Sequence, residues 1–269
     1  MKKVNNEHLV VVEDLKKHFG DVRAVDGISF SIGSGEVFGL LGPNGAGKTT
    51  TVKLLLGLLS PTDGRATVLG MHPERDEVAV KARVGYVAEE PLIYKSLTPR
   101  ELFEFIASVR GMDSGEVSSR ALEYMDVLGA AEYYDQVIAT LSRGNKQKVQ
   151  IVAAVLHHPE LLIMDEPLAG LDAKSVKVVK ELMDLHVERG GAILFSTHIM
   201  EVAQELCDRL GIINKGKMVA MGTLDELRTM ADRAGATLED VFLRLTEEDE
   251  SVAELVAKLR QSYGGDGNG

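Results

Sequence analysis

The chain has 269 residues, 45% hydrophobic and 26% charged, which supplies a core for at most about two ordinary domains and excludes a disordered chain or a mini-protein. Its 30 Lys and Arg against 41 Asp and Glu leave a net charge of −11, a balance opposed to broad, sequence-independent nucleic-acid binding. No run of about 18 uncharged apolar residues occurs, Glu13 and Asp14 interrupt the first apolar stretch before an export signal develops, and the single Cys207, read as a small core residue, excludes disulfide or multi-cysteine metal chemistry and fits a reducing cytoplasm.

The stretch LVVVEDLKKHFGDVRAVDGISFSIGSGEV, from Leu9, predicts several short strands of an antiparallel sheet, with turns at Gly20, Gly27 and Gly33 to Gly35. The continuous apolar run VFGLL then reads as a buried parallel strand. It leads straight into Gly42-Pro43-Asn44-Gly45-Ala46-Gly47-Lys48-Thr49, which fills every fixed position of G-x-x-x-x-G-K-[ST], and on into the helical pattern TTTVKLLLGLL. Glycines at both ends let the backbone curl so that its N–H groups converge, and the following helix aims the positive end of its dipole at the same point, making an anion cradle. Lys48 is placed to bridge the outer phosphates of a nucleotide, and the Thr49 hydroxyl to complete the oxygen shell of a Mg²⁺ ion.

Between Ile93 and His158 the pattern becomes helical. Thr98-Pro99-Arg100-Glu101 is a capping box with proline at the first helical position, followed by Leu102, Phe103, Ile106 and Val109 on one expected face. The buried-strand run LLIM then ends in Asp165-Glu166-Pro167. Ligands of open α/β sheets bind at the carboxyl ends of strands, so Asp165 is placed to hold the Mg²⁺ shell and Glu166 to orient and deprotonate a water attacking the γ-phosphate. AILFS delivers His198 to the same rim. A lone histidine is ordinarily structural, but this position sets it beside Lys48 and Glu166. After the strand GIIN, Thr223-x-x-Glu226 starts a capped helix, and Leu238, Val241, Phe242 and Leu245 form the stripe of another. From Ala236 to Glu254 seven acidic residues face one basic, Arg244, and the closing YGGDGNG is expected to be unfolded.

Leu141-Ser142-Arg143-Gly144-Asn145, with Ser142 94 residues after Lys48, resembles the signature motif of the ATP-binding cassette (ABC) ATPases. The resemblance runs from about Leu9 to Leu245 and includes the phosphate loop, the signature, LLIMDEP, the turn Ala169-Gly170-Leu171-Asp172 and the position of His198. It implies an α/β fold: a P-loop NTPase core with a parallel sheet, an N-terminal antiparallel β subdomain and an inserted helical subdomain. Residues 1–245 would form one ATPase domain, with core 1–92 and 159–222, insert 93–158 and C-terminal helices 223–245, followed by an acidic, partly disordered tail over 246–269. It also implies ATP hydrolysis with Mg²⁺ by a head-to-tail pair, made with a second copy or a paralogous ATPase, each ATP lying between the phosphate loop of one copy and the signature of the other. Ser142 reads as the N-cap of a helix, making with Gly144 a second anion site. By the same resemblance Asn145 adjoins that site and Asp172 contacts the partner copy. His198 holds the γ-phosphate, Phe19 stacks on adenine, and Val25 and Thr50 add nucleotide contacts.

Three departures stand out. Glu89, followed by Glu90, occupies the place of the family's usual glutamine after VGYVA, where it can still coordinate Mg²⁺ and accept from water but adds negative charge. Arg143 replaces a glycine and Asn145 a glutamine. GYVAEEPLIYKSLTPRE together with ATLEDVFLRLTEE looks like the branch that energises drug, antibiotic, lipid or polysaccharide exporters. The resemblance therefore implies integral membrane permease subunits as partners and a cytoplasmic site on the inner face of the membrane. An importer remains the competitor within transporters. A membrane-free ABC ATPase of translation or DNA maintenance would usually bring a second cassette or a long coiled coil, and a small-molecule kinase would not account for Ser142, Gly144, Asp172 and His198 together.

Overall fold

The computed structural model describes residues 8–232, 235–246, 254–256, 258–260 and 262. The expected unfolded end YGGDGNG and the acidic residues 247–250 lie outside the described residues. The chain opens with an antiparallel hairpin of β1 (His8–Phe19) and β2 (Val22–Gly33), turning at Gly20 with φ +58°. Val10 and Val12 of β1, Leu15 beyond a register shift, and the alternate Ile28, Phe30 and Ile32 of β2 are buried, as a sheet packed on one face requires. The stretch makes two long strands rather than several short ones, because Gly27 is not a turn. Leu15 faces Ile28 and Lys16 faces Asp26, so Gly27, at φ +80°, is the extra residue of a β-bulge inside β2.

After β3 (Val37–Leu41), α1 (Lys48–Leu55) and β4 (Asp63–Val68), α2 (Glu77–Arg83) leads into β5 (Val84–Val87). β4 joins the hairpin as the third strand of a sheet ordered β2-β1-β4. The helical region follows as α3 (Pro99–Arg110), α4 (Ser114–Val127) and α5 (Arg143–Val155), with short 3₁₀ turns at Ala131–Tyr133 and Ile138–Thr140. Then come β6 (Leu161–Asp165), α6 (Ala173–Glu188), β7 (Ala192–Thr197), α7 (Met200–Leu206), β8 (Arg209–Asn214), β9 (Lys217–Gly222), α8 (Leu224–Met230) and α9 (Leu238–Leu245).

The second sheet is ordered β5-β6-β7-β3-β8-β9, parallel throughout except for β9, which returns antiparallel along β8. Every residue of β3, β6 and β7 is buried, the burial on both faces that their unbroken apolar runs predict. Asp165 pairs with Ser196 and Leu41 with Thr197, so the carboxyl ends of β6, β7 and β3 lie side by side at one rim.

The helices 99–155 share a core built around Phe103, Ala121, Met125, Ile138 and Ile151, which continues under β6 and β7 through Leu162, Met164 and Phe195. Each large apolar side chain fully buried there contributes roughly 1.5–3 kcal/mol. Both bonds of the Thr98–Glu101 capping box are present. Val109 is not on the inner face; it is 69% exposed. At about 100° per residue the buried Leu102, Pro99, Phe103 and Ala107 span an arc of about 140°, and Val109, in the last turn, lies just past its Leu102 edge. Leu238, Val241 and Phe242 of α9 are buried against Ala203, Leu210, Ile212 and Leu227. Cys207 is half-buried at the edge of the core, and burial first, then Asp208, pushes its thiol up to about 12. Among the described residues no helix is long and apolar enough to cross a membrane.

Candidate nucleotide site

The loop 42–47 leaves β3 at the rim and closes onto α1. Gly47 has φ +112° and its missing Cβ would lie 2.4 Å from the Ala24 carbonyl oxygen, while a Cβ on Gly42 would lie 2.3 Å from that of Ile213. Only glycine lets the backbone pass between these two carbonyls. Asn44 and Gly45 are exposed, Pro43 and Thr50 half-buried, and Ala46 buried. Ala46 N–H donates to Pro43 O, and Gly216 N–H to Ala46 O, which ties the loop to the β8–β9 turn.

Lys48, 8% exposed, lays its ammonium on the loop itself, donating to Gly42 O at 2.6 Å and Pro43 O at 3.2 Å. Burial holds it below its ordinary pKa, partly offset by the charges of Glu166, Asp165 and Glu89. One face of the loop thus carries a single cation opposed by three carboxylates. Thr49 Oγ1 donates to Asp165 Oδ2 at 3.1 Å. No group of three or more His, Cys, Asp or Glu able to hold a metal occurs among the described residues. Two hard oxygens from Thr49 and Asp165 fit a Mg²⁺ ion, which takes most of its octahedral shell from phosphate and water.

Glu166 follows directly, 8% exposed and at φ +48°, a left-handed conformation that costs a residue with a side chain about 1–3 kcal/mol. It turns the carboxylate back toward β7. There Oε2 accepts from Thr197 Oγ1 at 3.0 Å, and Oε1 accepts from His198 N at 2.7 Å and lies 2.6 Å from His198 Nδ1. The His198 side chain is 63% exposed. Lys48, Thr49, Asp165, Glu166 and His198 therefore form one group at the rim. Glu89 is exposed at the end of β5 and reaches this group by charge, without a hydrogen bond to it. Beside them, burial and then the charges of Asp165 and Glu89 push the Tyr86 phenol up to about 12.

The other expected residues lie apart. Phe19 ends β1 half exposed, with the Lys17 ammonium 5.1 Å from its ring centroid, on the hairpin whose Ala24 carbonyl abuts the phosphate loop. Val25 has no exposed surface and packs in the sheet core, so its side chain offers nothing to a base. Ser142 is the N-cap of α5, its Oγ accepting from Asn145 N at 3.2 Å. Gly144 sits so close to the 166–172 turn that a Cβ would lie 2.5 Å from Gly170 O. The Asp172 carboxylate is engaged within its own chain. It caps α6 through Ser175 N and Oγ and pairs with Lys148 Nζ at 3.0 Å. Ser175, then Lys148, hold it well below the usual carboxylate range. Among the described residues no hydrogen bond joins Ser142, Gly144, Asn145 or Asp172 to residues 42–50.

Sequence reasoning missed three buried polar residues of α5, Gln147, Lys148 and Gln150. Their signal was present: Gln147 and Gln150 stand three apart on the face that Ile151 continues, polar residues inside an apolar stripe. A cavity of about 750 Å³ opens at the opposite edge of the sheet between α4, α6 and the starts of β6 and β7, and no candidate residue lines it.

Comparison with known proteins agrees with the geometry. The sequence model of the family described as ABC transporter matches residues 25–169. The linearmycin resistance ATP-binding protein LnrL of Bacillus subtilis is 39% identical over 249 residues, 93% of this chain and 78% of that protein. A solved ATP-binding subunit of an ABC transporter superposes with a TM-score of 0.84 at 33% identity, covering 88% of this chain and 99% of the other. An ATP-binding cassette solved as a dimer in a post-hydrolysis state with ADP and Pi shares the fold, with a TM-score of 0.73 at 24% identity over 80% of this chain and 98% of that one.

Proposed function

Because this chain belongs to the ABC transporter family as an ATP-binding subunit, we propose that two copies, or this copy and a paralogue, close head to tail around two ATP and drive a separate membrane permease in the direction of export. The observation that carries this reading is a mismatch within one chain. Lys48, Thr49, Asp165, Glu166 and His198 gather at the rim, while the helix start Ser142–Asn145, exposed at Ser142 and Arg143, has no hydrogen bond to the loop 42–50 among the described residues. A second copy turned through a two-fold axis supplies the missing half for each site.

In this reading residues 1–245 act as one ATPase domain with the insert 93–158. Lys48 exchanges the Gly42 and Pro43 carbonyls for the β- and γ-phosphates, and Thr50 and the loop amides take the remaining oxygens. Thr49 and Asp165, with Glu89 at the outer edge, would hold a Mg²⁺ ion, which would supply charge neutralisation at the phosphate oxygens. Phe19 covers the adenine. Glu166 accepts the proton of the attacking water, and His198, adjoining the same carboxylate oxygen, orients that water against the γ-phosphate. Ser142 Oγ and the Gly144 N–H close on the γ-phosphate of the partner's ATP, contacts that exist only in the closed pair and vanish with phosphate release.

The permease surface we assign to Leu92, Tyr94, Phe105 and Val109, all large and exposed, with the Tyr94 and Phe105 rings edge to face at 5.5 Å. Leu92 and Tyr94 share the loop that carries Glu89, so a push there reaches the site. Likeness to a resistance protein supports export, since resistance calls for removal of the compound. The test is Glu166→Gln. ATP should convert it to a stable dimer by gel filtration, with turnover lower by about 10²-fold or more. Wild-type turnover in that variant would remove Glu166 as the base, and wild-type ATPase in Lys48→Ala would remove the phosphate-loop reading.

A further inference from the structure

Gln147, Lys148 and Gln150 are 2%, 6% and 4% exposed, and the chemistry above uses none of them. Buried amides persist only when their hydrogen bonds are made, so each partner is informative. Gln147 Nε2 donates to Pro167 O at 3.0 Å, one residue past Glu166. Lys148 holds Asp172 at the end of the same turn. Gln150 spends both ends of its amide on another segment. Nε2 donates to Ala88 O at 2.8 Å, and Oε1 accepts from Leu92 N at 2.8 Å. A carbonyl on one side and an N–H on the other fix the orientation of the amide.

These two bonds bracket Glu89, Glu90 and Pro91. The far end of the same loop is sewn to the helical region by Ile138 N to Leu97 O and Ala139 N to Lys95 O. The loop bearing Glu89 is thus fastened along its length to the helical region, although its chain emerges from β5 of the parallel sheet. Its first fastening is a single side chain of α5, the helix whose start carries Ser142 and Gly144.

We propose that Gln150 is a positioning residue that couples the two ATP sites of the dimer. When Ser142 and Gly144 meet the partner's nucleotide, α5 shifts, and Gln150 carries Glu89 with it into the copy's own site, while Gln147 carries Pro167 beside Glu166. The inference rests on the head-to-tail reading and adds to it the route by which one site senses the other. It needs no contact between the sites, only one helix whose start meets the partner's nucleotide and whose middle grips two loops of its own site.

The experiment is ATPase rate against ATP concentration for wild type and Gln150→Leu, a side chain of similar size that makes neither bond. Wild type should be sigmoidal with a Hill coefficient approaching about 2. Gln150→Leu should fall to about 1, with kcat lower by about tenfold and affinity for a fluorescent ATP analogue within about twofold of wild type. Gln150→Ala, which leaves room for water at both partners, serves if the leucine variant does not fold. Amide exchange at Leu92 should accelerate in either variant. A Hill coefficient of wild-type size together with faster Leu92 exchange shows a purely structural brace and overturns the proposal. A non-cooperative wild type with no ATP-dependent Glu166→Gln dimer overturns the head-to-tail reading, and this inference with it.

Discussion

Gly144→Ala sets two effects of opposite sign against each other at one position. Inside a helix the exchange gains about 0.5–1 kcal/mol, because glycine loses more backbone freedom on folding. Here the new Cβ would stand 2.5 Å from Gly170 O, and real Cβ contacts essentially never fall under 3.0 Å. Neither side yields readily. Ser142 caps the start of α5, Gly170 turns at φ +76°, and Ala169 N–H and Leu171 N–H bond back to Glu166 O and Leu168 O. Displacing such backbone costs about 1–3 kcal/mol, so the net effect is a loss of up to about 2.5 kcal/mol. At about 2–4 °C per kcal/mol for a domain of this size, thermal unfolding should move down by up to about 10 °C. The turn that must retreat carries Glu166 at its head, so ATPase activity should fall further than stability does. Circular dichroism melts and a coupled ATPase assay read both. A melting temperature above wild type would mean that helix propensity wins, and would refute the close approach of α5 to the 166–172 turn.

Other outcomes follow from separate features. Leu92→Asp with Tyr94→Ser should abolish co-purification with the permease while ATP-dependent dimerisation of the Glu166→Gln background persists; retained association would move the permease surface elsewhere. Cys207, its thiol at about 12, should resist alkylation at pH 8 in the native state and react only on unfolding, which mass spectrometry would record. Burial, then the charge of Arg110, lowers His157 to about 4, against the Val84 O bond that favours its charged form, and its Nδ1 is buried without a partner. A depressed histidine leaves the unfolded chain binding the extra proton between about pH 6.5 and 4, so this contribution is full above pH 6.5 and is lost as pH falls to about 4. With the ring half-buried, the loss is of order 2 kcal/mol, and urea titrations of His157→Phe should show a shallower decline across that window than wild type.

The parts of this fold legible in the sequence are those where one local rule suffices. VFGLL, LLIM and AILFS read as buried strands because both their faces are covered, and Thr98, Thr223 and Ser142 start helices because their side chains cap the next turn. β4 was not foreseen, since in DGRATV only Val68 is buried and the strand exists by pairing with β1. Gly27 looked like a turn because a bulge and a turn ask the same backbone freedom of glycine. In the site, Lys48, Thr49, Asp165 and Glu166 were legible from spacing at strand ends. Asp172, read as a partner contact, also caps α6 through Ser175, a local rule, and meets Lys148 from 24 residues before it, a contact that no linear motif records. Gln150 was missed for the same reason: its partners, Ala88 and Leu92, lie about sixty residues away in sequence.

The left-handed backbone at Glu166 has a consequence for how this chain responds to selection. Asparagine adopts that conformation more readily than glutamate, so backbone strain alone favours replacing the residue proposed above as the base, against the bonds its carboxylate makes to Thr197 and His198. A screen that scores folding without turnover would drift toward inert clamps. The glutamate persists only where the chain is selected for release as well as for grip.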